Sequence, residues 1–167
     1  MDASMLAHAP TSLAIDGIAW TWRAVTPAGL EPLLPFVMAA DPSGTEALYW
    51  KQEATAWLDV RGTPRGIVGV ECLAGLTLAL FFYALPASRG DGRLLAIERL
   101  RWVELARPHR SLDASLAIIG ESARRLACDT LRILPHAATE RHAKVALDER
   151  AEAAGFGPDA RGWIQRL

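Results

Sequence analysis

Few residues in this sequence have both the type and the neighbours to do chemistry. The two cysteines, Cys72 and Cys128, are too few for a disulfide framework or a multi-thiolate zinc site. Cys128 has no histidine beside it and reads as a buried small hydrophobe. The four histidines, His8, His109, His136 and His142, are scattered without the His-x-x-x-His spacing of a zinc helix, so no metal is expected. Carboxylates remain. Glu71 and Glu98 stand in segments that read as strands, and Glu104 lies near the end of one. Glu98 is flanked by Arg99 and Arg101, which offer it an ion pair as readily as a role in proton transfer. Arg107-Pro108-His109-Arg110-Ser111 precedes a long helical pattern, and Ser111 suits its cap.

The frame that positions these groups is a single ordinary domain of 167 residues, 51% hydrophobic and 22% charged. A formal net charge of −1 argues against nucleic-acid binding driven by bulk positive charge. All the basic residues except Lys51 and Lys144 are arginine, a bias that genome composition explains as well as anion recognition does. Met1-Asp2-Ala3-Ser4-Met5 lacks a basic leader and does not read as a signal peptide, so a cytoplasmic, metal-independent protein is expected.

The run Gly66–Leu85 approaches the length of a membrane span. Glu71 inside it, its β-branched and aromatic residues, and the break at Gly75 favour two buried strands, and no membrane partner is expected. Residues 1–17 read as a loose lead-in and 18–167 as the domain. Ala19–Val25 alternates as a first strand. Thr26-Pro27 offers a helix cap, and Pro32 and Pro35 make the helix that follows short or irregular. Asp41-Pro42 announces a second helix over Glu46–Trp50, and Ala56–Val60 reads as a short strand. Gly90-Asp91-Gly92 turns the chain into an extended segment over Leu94–Leu105. There Leu95, Ile97, Val103 and Leu105 share one face, and Ala96, Glu98, Leu100 and Trp102 the other. Leu112, Leu116, Ile119, Ala123 and Leu126 define a long helix. Thr130–Leu134 reads as a strand, and Thr139 or Glu140 opens a fourth helix that ends at Gly155. Trp163–Leu167 closes the chain as a strand. The expected class is α/β or α+β: a mixed central sheet flanked by about four helices.

In this order the pieces resemble the GNAT superfamily of acyl-CoA-dependent N-acyltransferases. Trp22–Leu30 looks like the family's first strand running into its first helix, and Leu100–Val103 like its fourth strand. Arg107 stands where its Arg/Gln-x-x-Gly-x-Gly/Ala motif begins. Ala123–Ile133 looks like the end of the cofactor helix and the fifth strand. Ala154-Gly155-Phe156 with Gly162–Leu167 resembles the family's terminal segment. The resemblance implies an acyl-CoA co-substrate, normally acetyl-CoA, with its diphosphate at a strand-to-helix junction, where the first helical N–H groups lack partners. It implies cofactor contacts at Trp102, Val103, Arg107, His109, Arg110, Ser111 and Leu112, with Glu98 as general base and Glu104 behind it. Trp50 and Glu71 would contact the acceptor, a small-molecule or peptide amine. Asp41, Glu46, Tyr49 and Glu53 make that stretch suited to a cation, and equally to an ordinary solvated helix face. A homodimer is compatible with the reading.

Two departures stand out. With Arg107 as the first motif residue, the glycine positions are Arg110 and Leu112, and Leu112 is expected to crowd the phosphates. With Arg110 as the first, they are Asp113 and Ser115. The tyrosine that many relatives use to protonate the leaving thiolate is replaced by Ala151. The alternative is therefore a GNAT-shaped module that no longer catalyses and serves binding, regulation or assembly. Both readings turn on whether the 107–112 junction offers unoccupied amides to a diphosphate.

Overall fold

The computed structural model describes residues 11–41, 44–72, 75–87, 92–104, 107–134 and 141–167. Strands β1 (Thr11–Ile15), β2 (Ile18–Ala24), β3 (Arg65–Cys72), β4 (Leu76–Ala84) and β5 (Leu94–Trp102) form an antiparallel meander. Strand β6 (Thr130–Ile133) joins β5 in parallel, and β8 (Gly162–Arg166) and β7 (Gly157–Asp159) complete one eight-stranded sheet in the order β1-β2-β3-β4-β5-β6-β8-β7. The expected mixed sheet is found. Helices α1 (Leu34–Ala40) and α2 (Thr45–Asp59) connect β2 to β3; α3 (Arg110–Arg125) lies between β5 and β6, and α4 (Arg141–Ala153) between β6 and β7.

The two faces of the sheet carry two cores. Leu30, Leu33, Phe36, Val37, Trp50 and Ala54 pack with Ile67, Leu80 and Phe82 on the α1/α2 side. Leu112, Leu116, Ile119 and Ala123 of α3 and Leu147 and Ala151 of α4 pack with Trp20, Val70, Phe81, Leu95, Ile97, Leu131 and Ile133 on the other. Each large apolar side chain so buried stabilises the fold by about 1.5–3 kcal/mol. The Gly66–Leu85 run is the β3–β4 hairpin, turned at Gly75 with φ +98°. No helix among the described residues is long and apolar enough to cross a membrane. Gly155 ends α4 at φ +86°, and the Phe156 N–H donates back to the Ala151 carbonyl, as expected for a left-handed helix stop.

Several expectations need correction. Thr11–Ile15, placed in the loose lead-in, pairs with β2 as an edge strand. Ala56–Asp59 is the last turn of α2 rather than a strand, because Trp57 packs on Phe82 from the helix. Thr26 makes no side-chain cap; the prolines instead break the entry into two 3₁₀ turns, Pro27–Gly29 and Glu31–Leu33, ahead of a short α1. Strand β7 was not anticipated. Residues 1–10, Pro42, Gly90-Asp91, Leu105, Thr139 and Glu140 lie outside the described residues, as does the side chain of Glu46.

Candidate functional site

The site is built around a change of character within β5. Leu94–Ile97 is paired on both edges, with β4 and with β6, and the Leu134 N–H closes the β6 side by donating to the Ile97 carbonyl at 2.8 Å. Beyond Ile97, no partner from β6 is found among the described residues, and there β5 runs on against β4. Among the described residues a gap therefore opens between two parallel neighbours. The Val103 N–H donates to the Leu78 carbonyl at 2.9 Å. Because backbone groups alternate along a strand, the N–H and C=O of Trp102 point away from β4, into the gap. Val103 has no amide to offer there, and its carbonyl accepts the Ser111 hydroxyl at 2.8 Å.

A bulge sits where the gap begins. Phe82 opposes Glu98 and Leu80 opposes Arg101, so Phe81 faces two residues, and Arg99 takes a left-handed φ of +52°. The extra residue reverses the parity of everything after it. Leu95, Ile97 and Leu100 belong to the α3/α4 core, with Trp102 packed against it. Glu98, opposite Phe82, and Arg101, opposite Leu80, belong to the α1/α2 side, as does Val103. The expected sharing of one face by Glu98, Leu100 and Trp102 is overturned.

Glu98 instead shares its face with a chain of cations and rings. The Arg99 guanidinium pairs with Glu53 of α2 and sits 5.6 Å from the Phe82 ring centroid. The Phe82 and Trp57 centroids are 5.5 Å apart, and Arg65 lies 4.5 Å from the Trp57 ring. Trp57 Nε1–H donates to the Gly66 carbonyl at 3.1 Å, which fixes the indole. These contacts tie α2 to the bulge.

The 107–112 junction departs most from expectation. The Ser111 N–H donates to Glu104 Oε2 at 3.0 Å and the Leu112 N–H to Oε1 at 3.2 Å. The Asp113 N–H is taken by the His109 carbonyl at 2.8 Å. The amides expected to meet a phosphate thus meet a carboxylate of the chain itself. Leu112 does not crowd the notch; it is 0% exposed and faces the core. Ser111 is no side-chain cap, since its hydroxyl donates to Val103, and no side chain of the N-cap residue, His109, caps the helix. His109 holds that corner with a left-handed φ of +65°. Arg107 is exposed, and Arg110 lies near enough to Cys72 of β3 to act on its thiol. With both oxygens engaged, Glu104 serves as a cap rather than a base.

The remaining candidates are dispersed. Trp50 is 1% exposed in the α1/α2 core with its Nε1–H unpartnered, so it lines no open acceptor surface. Glu71 bonds Arg23 Nε at 2.7 Å, out on β3 where it pairs with β2. Ala151 is fully buried and offers no proton. Burial pushes the Cys72 and Cys128 thiols above their usual value, which suits inert cysteines. Among the described residues no three His, Cys, Asp or Glu side chains cluster as a metal site.

The residues missed at the sequence level are Arg99, Phe82, Trp57 and Arg65. A signal was present for the first. Apolar residues occupy odd positions at Leu95 and Ile97 and even ones at Leu100 and Trp102, and that switch marks a bulge between them.

No protein-family model matches the sequence, and no curated protein matches it. Solved structures do match its fold. A GNAT-family acetyltransferase from Listeria monocytogenes superposes with a TM-score of 0.62 at 11% identity, over 94% of this chain and 100% of that one. A ribosomal-protein-alanine N-acetyltransferase from Brucella melitensis gives 0.60 at 12% identity, over 89% and 99%. An aminoglycoside 6′-N-acetyltransferase from Acinetobacter baumannii gives 0.56 at 11%, over 85% and 93%. The chain has the GNAT fold, as its sequence resemblance implied.

Proposed function

We propose that the protein is an N-acyltransferase that draws its acyl group from a thioester, with acetyl-CoA the first donor to test, and passes it to a small-molecule or peptide amine. One observation carries the reading. Among the described residues the pairing of β5 with β6 ends at Ile97, and the backbone of Trp102 faces the edge so left open. An extended pantetheine arm suits that opening, since it can hydrogen-bond strand backbone as a missing strand would. The likeness to acetyltransferase structures supports the same reading at the level of fold.

In this reading the amine approaches from the α1/α2 face. Glu98 takes the proton of the incoming ammonium, directly or through water, so that the nitrogen lone pair is available. The nitrogen attacks the thioester carbonyl, the C–N bond forms, the C–S bond breaks, and the thiolate leaves to be protonated from solvent, because Ala151 supplies no acid. The Arg99–Glu53 pair and the Phe82 and Trp57 rings hold α2 against the bulge on that side. The thioester portion of acyl-CoA suits an unpaired strand edge of this kind. The diphosphate does not fit the amides of Ser111 and Leu112 while Glu104 occupies them, and no step is routed through it.

That occupied corner favours a second reading, a GNAT-shaped module without catalysis. Thiol release measured with acetyl-CoA and with S-acetylpantetheine against a panel of primary amines decides between them. Amine-dependent release that falls in Glu98→Gln upholds the enzyme. Absence of release with either donor and every amine leaves the module.

A further inference from the structure

We infer that Glu104 is a donor-selecting residue: its carboxylate fills the diphosphate position at the start of α3, so the protein favours acyl-pantetheine thioesters that bring no diphosphate there. The inference rests on the acyltransferase reading and specifies the donor class of that same site.

Three features of the junction support it. The carboxylate is bidentate across two successive amides, Ser111 and Leu112, so each N–H is spent on its own oxygen. The next amide, Asp113, is spent within the helix on His109. A diphosphate arriving at this turn would have to displace Glu104 from both donors and then lie beside its negative charge. The carboxylate is also well held. Glu104 directly follows Val103, whose amide is bound by Leu78 and whose carbonyl is bound by the Ser111 hydroxyl, so the strand end and the helix start are fastened together on either side of it. Ser115 Oγ–H continues the fastening by donating to the Ser111 carbonyl at 2.6 Å. A helix N-terminus attracts one anion, and here the chain supplies that anion itself. The opening at Trp102 is untouched by this contact, so a pantetheine arm is not excluded by it.

The test compares binding of acetyl-CoA and S-acetylpantetheine by titration calorimetry to the wild-type chain, Glu104→Gln and Glu104→Ala. The wild type is expected to bind S-acetylpantetheine at least as tightly as acetyl-CoA. Glu104→Ala is expected to bind acetyl-CoA about tenfold or more tighter while acetylpantetheine changes by less than about twofold. Glu104→Gln, which keeps an acceptor and loses the charge, is expected between them and guards against a folding defect in the alanine variant. A wild type that prefers acetyl-CoA by about a hundredfold, or acetyl-CoA binding no tighter in both variants, overturns the inference. If neither thioester binds any variant, the acyltransferase reading falls, and inorganic pyrophosphate judges Glu104 separately. Shifts of the Ser111 and Leu112 amide resonances in Glu104→Ala but not in the wild type uphold the assignment. No shift in Glu104→Ala overturns it.

Discussion

The two halves of strand β5 have the same neighbour on one edge and opposite fates on the other. Leu94–Ile97 is bonded to β4 and β6, and its buried side chains, Leu95 and Ile97, enter the α3/α4 core. Among the described residues Glu98–Trp102 is bonded only to β4, starts with a bulge at a strained residue, and turns the charged Glu98 and Arg101 to the α1/α2 side while Leu100 stays in the α3/α4 core. The first half is scaffold. The second borders the gap, with Glu98 at its start and Glu104 just past its end. A strand can therefore change its pairing and its buried face within one residue, provided its partner stops and a bulge resets which face each side chain takes.

The sharpest break of this comparison is at the first residue of the second half. Glu98→Gln is expected to lower turnover by about 10²- to 10⁴-fold with little loss of stability, the range typical for removing a positioned base. Unchanged turnover at every pH removes Glu98 from the mechanism.

One residue earlier, the loss should be of stability. Ile97→Ala is expected to cost about 2–5 kcal/mol in chemical denaturation, because a fully buried side chain leaves a cavity between β5 and α3. A cost comparable to that of a surface substitution would mean the first half is not the rigid member of the pair.

At the end of the gap, Glu104→Ala removes the acceptor of two helix amides. A cap of this kind is worth about 1 kcal/mol, read as a lowered denaturation midpoint. At the bulge itself two effects oppose. Arg99→Gly relieves a left-handed φ but gives up the half-exposed pair with Glu53, so stability should move by less than about 1 kcal/mol. Hydrogen exchange offers a direct reading: the Trp102 amide, facing the gap, should exchange faster than that of Val103, which is bonded to Leu78.

The smallest effect concerns pH. Burial raises the Cys72 and Cys128 thiols above their ordinary 9.0, so the folded state holds those protons more tightly than the unfolded chain. Their contribution is complete below the unfolded value and is lost as pH rises through the folded ones. Stability should decline above about pH 9 and decline less in Cys128→Ala, followed by thermal unfolding against pH.

Much of this was legible in the residues. The periodicity of α3, the hairpin across Gly75, the left-handed stop at Gly155 and the prolines that shorten α1 are local effects, and each is found where the side chains placed it. The end of α2 was misread because Trp57 suits strand and helix alike, and only its packing on Phe82 distinguishes them. The faces of β5 were misread because a two-residue alternation carries no mark of a bulge unless its change of parity is noticed. At the site, the type of each residue was plain and its partner was not. Nothing in the spacing of Glu104, seven residues before Ser111, says that one will bond the other.

Sequence alone determined the long helix α3, the β3–β4 hairpin and the absence of the motif glycines, because these depend on neighbours along the chain and on which side chains shun water. Tertiary structure decided which face Glu98 occupies, what Arg99 touches and which anion meets the start of α3. Those outcomes depend on where β6 stops and how the chain turns through His109, and both are settled between residues far apart in sequence or by a backbone angle that side-chain type does not dictate.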